Sequence, residues 1–519
     1  MNAIMKYWAL CGGAAAALSG CGVKTAVPYN GLFRGKAVVP YNVLFLMADD
    51  MKPALGCYGD TIAVTPALDG LAADGILYSH AYCQQAVSGP SRASLLTGRY
   101  PDQTGVLKLE TGMRAKDPDI VTLPQAFREA GYTTASVGKV FHGVKNSMDA
   151  PSWSWRPLLC HMPRPDAYVL AENKTDYKSV AREFSDVDEG LYYDVKIREA
   201  ALTRLDSLAA ADSPFFLAVG FNKPHLPWSA PEHFLEPYRG RALTLDTVRV
   251  AGAPAQAYRP NRELIEYQDV PSEGPIPMDE QEALKKAYYA CASFTDDNIG
   301  RLLGRLKDLG LYDNTLVVFL GDHGYHHGEQ GLWCKSTNFE PACNAPLIIK
   351  LPARLSKGKP SQQRSVKAVI STGLVYTAAH TDHRPVSFVD LMPTLCKVCG
   401  IPVPEGAMGE DLLTRKHSPY AFSQIAHTVD GVKYMGYAVR DGRWNYVAWF
   451  VSGKRGTLET DEDGALRPSA EELYDLSGSP YEKVNVLDDN PETAVTLREA
   501  LSQHLADLGF APVEPAASR

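Results

Sequence analysis

The sequence predicts an α/β fold: a large domain with a mostly parallel central sheet flanked by helices, then a smaller C-terminal α+β domain with an antiparallel sheet. Three observations carry this expectation. Short, continuous apolar runs recur along the first four-fifths of the chain, and each leads directly into small polar residues. Helical segments lie between them. After about residue 415 the texture changes to alternation of apolar and polar residues.

The runs are "NVLFLM" before Ala48-Asp49-Asp50, "TTASVG" before Lys139 and His142, "PFFLAVG" before Lys223 and His225, and "NTLVVFL" before Gly321-Asp322-His323. Unbroken apolar runs suit strands buried on both faces, as in a parallel sheet. "ALDGLAADG", "TLPQAFREAG" and "DDNIGRLLGRLKDLG" read as the intervening helices, and strands alternating with helices give an α/β sheet. Ligands of such sheets bind beyond the carboxyl ends of the strands, where all four polar clusters fall. Residues 144 to 200 and 226 to 280 are long excursions of weaker periodicity, suited to a binding rim.

In the C-terminal part, "VKYMGYAVRDGRWNYVAWF" alternates around the turn Asp441-Gly442, a hairpin signal. "ELYDL" is a further strand and "ETAVTLREALSQHLADLGF" an amphipathic helix. The expected organisation is 1–20 lipoprotein signal peptide, 21–40 tether, 41–415 catalytic domain and 416–519 C-terminal α+β subdomain.

The signal reading rests on Lys6, the apolar stretch to Leu18, and Leu18-Ser19-Gly20-Cys21, which resembles a bacterial lipobox. The stretch is too short to span a membrane. Cleavage before Cys21 and lipidation of its sulfur would give an exported, membrane-anchored lipoprotein; an ordinary cleaved signal is the alternative. The chain has 519 residues and ten cysteines. Cys396 and Cys399 form a lone C-x-x-C in "SFVDLMPTLCKVCG", read as helix-packing thiols with a redox pair as the alternative. Net charge is −8 with no basic run, so nucleic acid is not an expected partner.

Asp49, Asp50, Asp322 and His323 place three carboxylates and an imidazole at two strand ends. Adjacent carboxylates repel unless a cation lies between them, and mostly oxygen donors favour Ca²⁺ or Mg²⁺. An isolated Asp-Asp pair caps a helix equally well; two acidic strand ends in one sheet favour a metal. Arg92, Lys139, His142, Lys223, His225 and Lys335 supply cationic groups near the same edge, as a tetrahedral oxyanion requires. Together they point to phosphoryl or sulfuryl transfer. No G-x-S-x-G elbow surrounds Ser88 or Ser91, against a serine hydrolase.

These residues also carry a resemblance. Ser88-Gly89-Pro90-Ser91-Arg92, followed by Leu96-Thr97-Gly98-Arg99, resembles the type I sulfatase signature, Cys or Ser-x-Pro-x-Arg. Gly131-Tyr132-x-Thr134-x-x-x-Gly138-Lys139-x-x-His142 resembles that family's second signature. "MADDMKPALGCYGD", "PFFLAVGFNKPHLPW", "GPIPMD" and "GDHGYHHGEQGLWCKSTNF" are similar to segments of its iduronate-2-sulfatase branch, in order, over roughly residues 42 to 485. The resemblance implies an alkaline-phosphatase-like large domain and a sulfatase acting on a sulfated glycan, at a 2-O-sulfate of a uronic acid.

It also implies the roles. Ser88 becomes formylglycine (3-oxoalanine), whose hydrate attacks sulfur with one hydroxyl and expels sulfate by deprotonation of the other. Asp49, Asp50, Ser88, Asp322 and His323 hold a metal, Ca²⁺ by the family pattern. Arg92 and Lys139 support the hydrate, and His142 is the base of the elimination. His225 and Lys335 hold the sulfate and protonate the leaving oxygen. Trp333 faces the sugar in this reading, a core aromatic being its alternative. Animal relatives have Cys where this chain has Ser88, so the resemblance implies an anaerobic radical maturase as a partner. A phosphoryl or phosphonate ester hydrolase of the same superfamily is one alternative; a non-catalytic glycan-binding lipoprotein with Ser88 unconverted is another.

Overall fold

The computed structural model describes residues 40–259, 262–356, 379–414, 416–453 and 457–515. The expected signal peptide, the lipidated Cys21 and the tether up to residue 39 lie outside the described residues. The described residues from Tyr41 onward pack as one unit. No helix among the described residues is long and apolar enough to cross a membrane.

The central sheet comprises β1 (Asn42–Ala48), β2 (Ile76–Tyr82), β3 (Thr133–Gly138), β4 (Phe215–Phe221), β5 (Thr315–Gly321), β6 (Leu347–Lys350) and β7 (His380–Ser387). Their spatial order is β7-β2-β6-β5-β1-β4-β3. All neighbours pair parallel except β6, which is antiparallel to both β2 and β5. The four strands read from sequence form its contiguous half, β5-β1-β4-β3. β1 shows why its run is unbroken: Val43, Phe45 and Met47 enter one core, while Leu44, Leu46 and Ala48 enter the other. Alternate side chains of a strand point to opposite faces, so a sheet covered on both sides needs apolar residues at every position.

Helix α1 (Pro66–Ala73), α2 (Ser88–Thr97), α3 (Leu123–Glu129), α4 (Tyr193–Ala209), α5 (Met278–Asp308) and α6 (Leu391–Val398) are the principal helices around this sheet. α5 is longer than its sequence signal, and α4, within and beyond the first excursion, was not anticipated. α6 ends at Gly400 in a left-handed turn (φ 67°), as the terminal glycine of "LCKVCG" predicts. Cys396 and Cys399 are free thiols packed with the core that takes Val43, Phe45 and Met47.

Four antiparallel strands make the second sheet: β8 (Ala421–Val429), β9 (Val432–Arg440), β10 (Trp444–Val451) and β11 (Ala470–Asp475), in that order. The hairpin at Asp441-Gly442 is present, with Asp441 Oδ1 accepting from the Arg443 and Trp444 amides. One face is covered by helix α7 (Pro491–Asp507) through Met435, Tyr437, Val439, Leu497 and Leu501. The other face, with Ile425, Ala438, Val447 and Trp449, packs against Val250, Leu332 and Phe339 of the large domain. The second sheet thereby buttresses the segment after β5 and the 226–280 excursion.

Candidate active site

Five strands deliver side chains to one edge. β1 ends in Asp49 and Asp50, β5 in Asp322 and His323, β3 in Lys139 and His142, and β4 in Lys223 and His225. β2 runs through a short loop to Ser88, the first residue of α2. Gly138 makes the turn after β3 possible. Its φ is +75°, and a Cβ there would collide with the Gly220 carbonyl oxygen, so only glycine lets Lys139 swing back over the sheet edge.

Ser88 Oγ sits at the centre, donating to Asp49 Oδ1 at 3.1 Å and lying 3.2 Å from His323 Nε2. His323 Nε2 is 3.4 Å from Asp50 Oδ1. Asp50 occupies a left-handed conformation, φ 60°; its amide donates to Asp322 Oδ1 and its carbonyl accepts from Tyr288 Oη. Non-glycine residues hold such backbone only where their surroundings over-determine it, commonly at functional sites. Arg92, one turn into α2, donates from Nε to Asp322 Oδ2 and from Nη2 to Asp49 Oδ1, both at 2.9 Å. Lys139 Nζ donates to Asp49 Oδ2.

Lys335 Nζ lies 2.7 Å from Asp50 Oδ2 and 2.9 Å from Glu263 Oε2. Glu263 Oε1 is 3.2 Å from His225 Nε2. Asp49, Asp50, Asp322, His323 and Arg92 are buried, whereas the side chains of His225 and Glu263 are 26 % and 27 % exposed. The site therefore has an acidic floor and a mouth lined by His225, Glu263, Lys139 and Lys335.

Burial pushes the Asp49 carboxyl up, but Lys139, His225 and Arg92 outweigh it and hold the group well below the usual carboxylate range. Asp322 is lowered too: burial opposes ionisation, and Arg92 and His323 overcome it. His142 is driven down to about 3, by burial first and then by Lys139. Its Nδ1 has no partner among the described residues. Burial is the largest influence on His225 and pulls its pKa down, but Asp50, Asp49 and Glu263 together outweigh it, and the pKa is raised.

The donor set fits a hard divalent cation. Asp49, Asp50 and His225 form one cluster able to hold an ion, and Asp50, Asp322 and His323 another. Four carboxylates, with Glu263 included, face the permanent cations Arg92, Lys139 and Lys335. A divalent ion on the floor would shift that balance toward holding an anionic ester. The N-terminus of α2 adds partial positive charge at Ser88.

Two expectations are corrected. Trp333 does not face the site: it is 3 % exposed, its Nε1 donates to Gln281 Oε1, and its ring packs on Trp228 and His327. It is a core aromatic because the Trp333–Cys334 strand turns that side chain into the sheet's second core. Lys223 is buried with Nζ on the carbonyls of His225 and Pro227, so it braces the loop carrying His225 and is not among the cations at the mouth.

Glu263 was missed. It lies in an irregular excursion where no periodicity or motif marks one carboxylate among many. Ser91, without a role in sequence, donates from Oγ to the Asp322 carbonyl. Cys83 packs in the core with its amide on the Cys343 carbonyl.

A buried acidic floor able to hold a cation, with a serine at a helix start and cations at its mouth, is an arrangement suited to ester hydrolysis. The Sulfatase family profile matches residues 41–401, and the chain belongs to that family as a sulfuric ester hydrolase. The mouse iduronate 2-sulfatase is 33% identical over 512 residues, covering 86% of this chain and 91% of that protein. A solved structure bound to its substrate D-glucosamine-2-N,6-O-disulfate superposes with a TM-score of 0.68 at 19% identity, covering 91% of this chain and 98% of that one. The phosphonate monoester hydrolase of Agrobacterium radiobacter superposes at 0.67 with 21% identity, covering 90% and 95%. At such identities these two structures establish the fold.

Proposed function

We propose that this protein is an exported sulfatase that removes a 2-O-sulfate from a uronic acid of a sulfated glycan, using a formylglycine made from Ser88 and one Ca²⁺. The observation that carries the reading is the placement of Ser88 Oγ between Asp49 Oδ1 and His323 Nε2 within the acidic floor. Likeness to iduronate 2-sulfatase over most of both chains supports the uronate 2-O position.

Asp49, Asp50, Asp322 and His323 would hold the ion, with Ser88 completing the set. When bound, the cation polarises the sulfate oxygens and acidifies the attacking hydroxyl, and the aldehyde hydrate provides that hydroxyl plus a second whose deprotonation releases sulfate. The protein's own groups do the rest. Arg92 locks two floor carboxylates in place. Lys139, His225 and Lys335 receive the anionic ester at the mouth. His225, bonded to Glu263, is positioned to give a proton to the leaving sugar oxygen. His142, held neutral, is available to take the proton from the second hydroxyl.

The test is peptide mass spectrometry across residue 88, on protein produced with and without an anaerobic radical maturase. A peptide two hydrogens lighter than encoded, accompanied by desulfation of 2-O-sulfated disaccharides, is the expected result. Unmodified Ser88 in active protein would overturn it. Parallel assays on 6-O-sulfated disaccharides and phosphonate monoesters separate the sulfatase reading from the phosphonate one. Anchoring through Cys21 is proposed on Leu18-Ser19-Gly20-Cys21; Cys21→Ala is expected to move the protein from the membrane fraction to the soluble one.

A further inference from the structure

His427 lies on β8 of the C-terminal sheet, 6 % exposed, with both ring nitrogens facing backbone carbonyls. Nδ1 is 2.6 Å from the Gln256 oxygen and Nε2 is 2.6 Å from the Ser336 oxygen. A carbonyl oxygen only accepts, and a neutral imidazole carries a single N–H. Both contacts are hydrogen bonds only when the ring is an imidazolium; in the neutral ring one lone pair faces a carbonyl oxygen at close range. The ring stacks on Trp449, centroids 5.3 Å apart, and Trp449 Nε1 donates in turn to Glu472 Oε1. The imidazole is therefore held in plane between its two acceptors.

What it grips matters to the site. Ser336 directly follows Lys335, and the residues flanking that lysine, Cys334 and Ser336, both have left-handed backbone (φ 70° and 72°). Non-glycine residues stay there only when held. The Ser336 amide donates to the Ala86 carbonyl, two residues before Ser88. Gln256 lies in the excursion that carries Glu263, the other partner of Lys335.

We infer that His427 is a positioning residue: as an imidazolium it clamps the Ser336 and Gln256 carbonyls together and so aims Lys335 and Glu263 at the substrate, and the clamp loses a bond when the ring deprotonates. The charged group facing it is Arg259, from the same excursion as Gln256; Glu472 lies beyond Trp449. Burial, aided by Arg259, sets the ring's pKa below the ordinary histidine value against the pull of the two carbonyls. The clamp is thus complete in acid and loosens as pH rises. This inference rests on Lys335 being a ligand of the sulfate ester.

Two readouts on full-length, metal-loaded, converted protein test it. In a ¹⁵N-histidine titration, both His427 nitrogens should show imidazolium shifts at low pH and a transition below 6.5. In kinetics on a sulfated disaccharide, KM of the wild type should rise with pH across that transition. His427→Arg, with N–H donors at every pH, should abolish that rise. His427→Leu should raise KM in acid roughly tenfold, the cost of losing a charged hydrogen bond, with less effect on kcat. A His427 ring that stays neutral from about pH 4 upward, or an unchanged KM profile in His427→Arg, would overturn the inference. A wild type without desulfation defeats the proposed function instead, and the titration still decides the clamp.

Discussion

Arg92 Nε lies 2.9 Å from Asp322 Oδ2, and both side chains are fully buried. The same guanidinium reaches Asp49 at 2.9 Å and the carbonyls of Lys139 and Val140. One residue of α2 thus ties together the ends of β1, β3 and β5. Removing one partner of a buried pair leaves an unpaired charge and costs about 3–5 kcal/mol. Arg92→Ala should lower stability by that order in chemical unfolding, and desulfation should fall with it. Asp322→Ala should abolish turnover; retained activity would refute the metal assignment.

Adding a cation should stabilise the protein. Asp49, Asp50 and Asp322 crowd one floor, and an ion that binds only the folded state adds RT ln(1 + [L]/Kd), about 2.7 kcal/mol at a hundredfold excess over Kd. Differential scanning fluorimetry should show a higher Tm with Ca²⁺ than with chelator, and a smaller gain with Mg²⁺. Asp50→Asn should remove most of that response. Equal Tm with and without Ca²⁺ would argue against an ion on this floor.

Glu263 holds both Lys335 and His225. Glu263→Gln keeps the shape but removes the charge that fixes them. A roughly tenfold or larger loss in kcat/KM is expected, in line with a charge-assisted hydrogen bond. An effect below twofold would make Glu263 a bystander at the mouth.

His504 gives an acid-stability prediction away from the site. It stacks on Phe422 with ring centroids 3.9 Å apart, and burial pushes its pKa down to about 3 from an unfolded value of 6.5. The folded state therefore binds fewer protons than the unfolded state between those values. The stability it contributes is present above pH 6.5 and is lost as pH falls toward 3. His504→Phe, which keeps the stack without the proton, should flatten part of the acid decline in Tm. An unchanged decline would assign it to other groups.

The sequence made the β5-β1-β4-β3 side of the sheet legible because its strands carry unbroken apolar runs. The strands of the other side were not legible. β6 is four residues long, and β7 reads His-Thr-Asp-His-Arg before its first buried residue, Pro385. Their pairing comes from neighbouring strands, not from their own pattern. The strand-end motifs brought Asp49, Asp50, Ser88, Arg92, Lys139, His142, His225, Asp322, His323 and Lys335 to one edge, as parallel topology requires. Trp333 went the other way because a side chain's direction at a turn depends on the local backbone.

The sequence by itself determined the fold class and the site members that lie in strand-end and signature motifs, since strand burial, chain direction and signature spacing are local properties. Only the tertiary structure decided which cations face the floor and which brace loops. It alone placed Glu263 between His225 and Lys335, and His427 across the Ser336 and Gln256 carbonyls. Those relationships join residues far apart in the chain, through irregular segments and a separate sheet, and they arise from packing that no local pattern records.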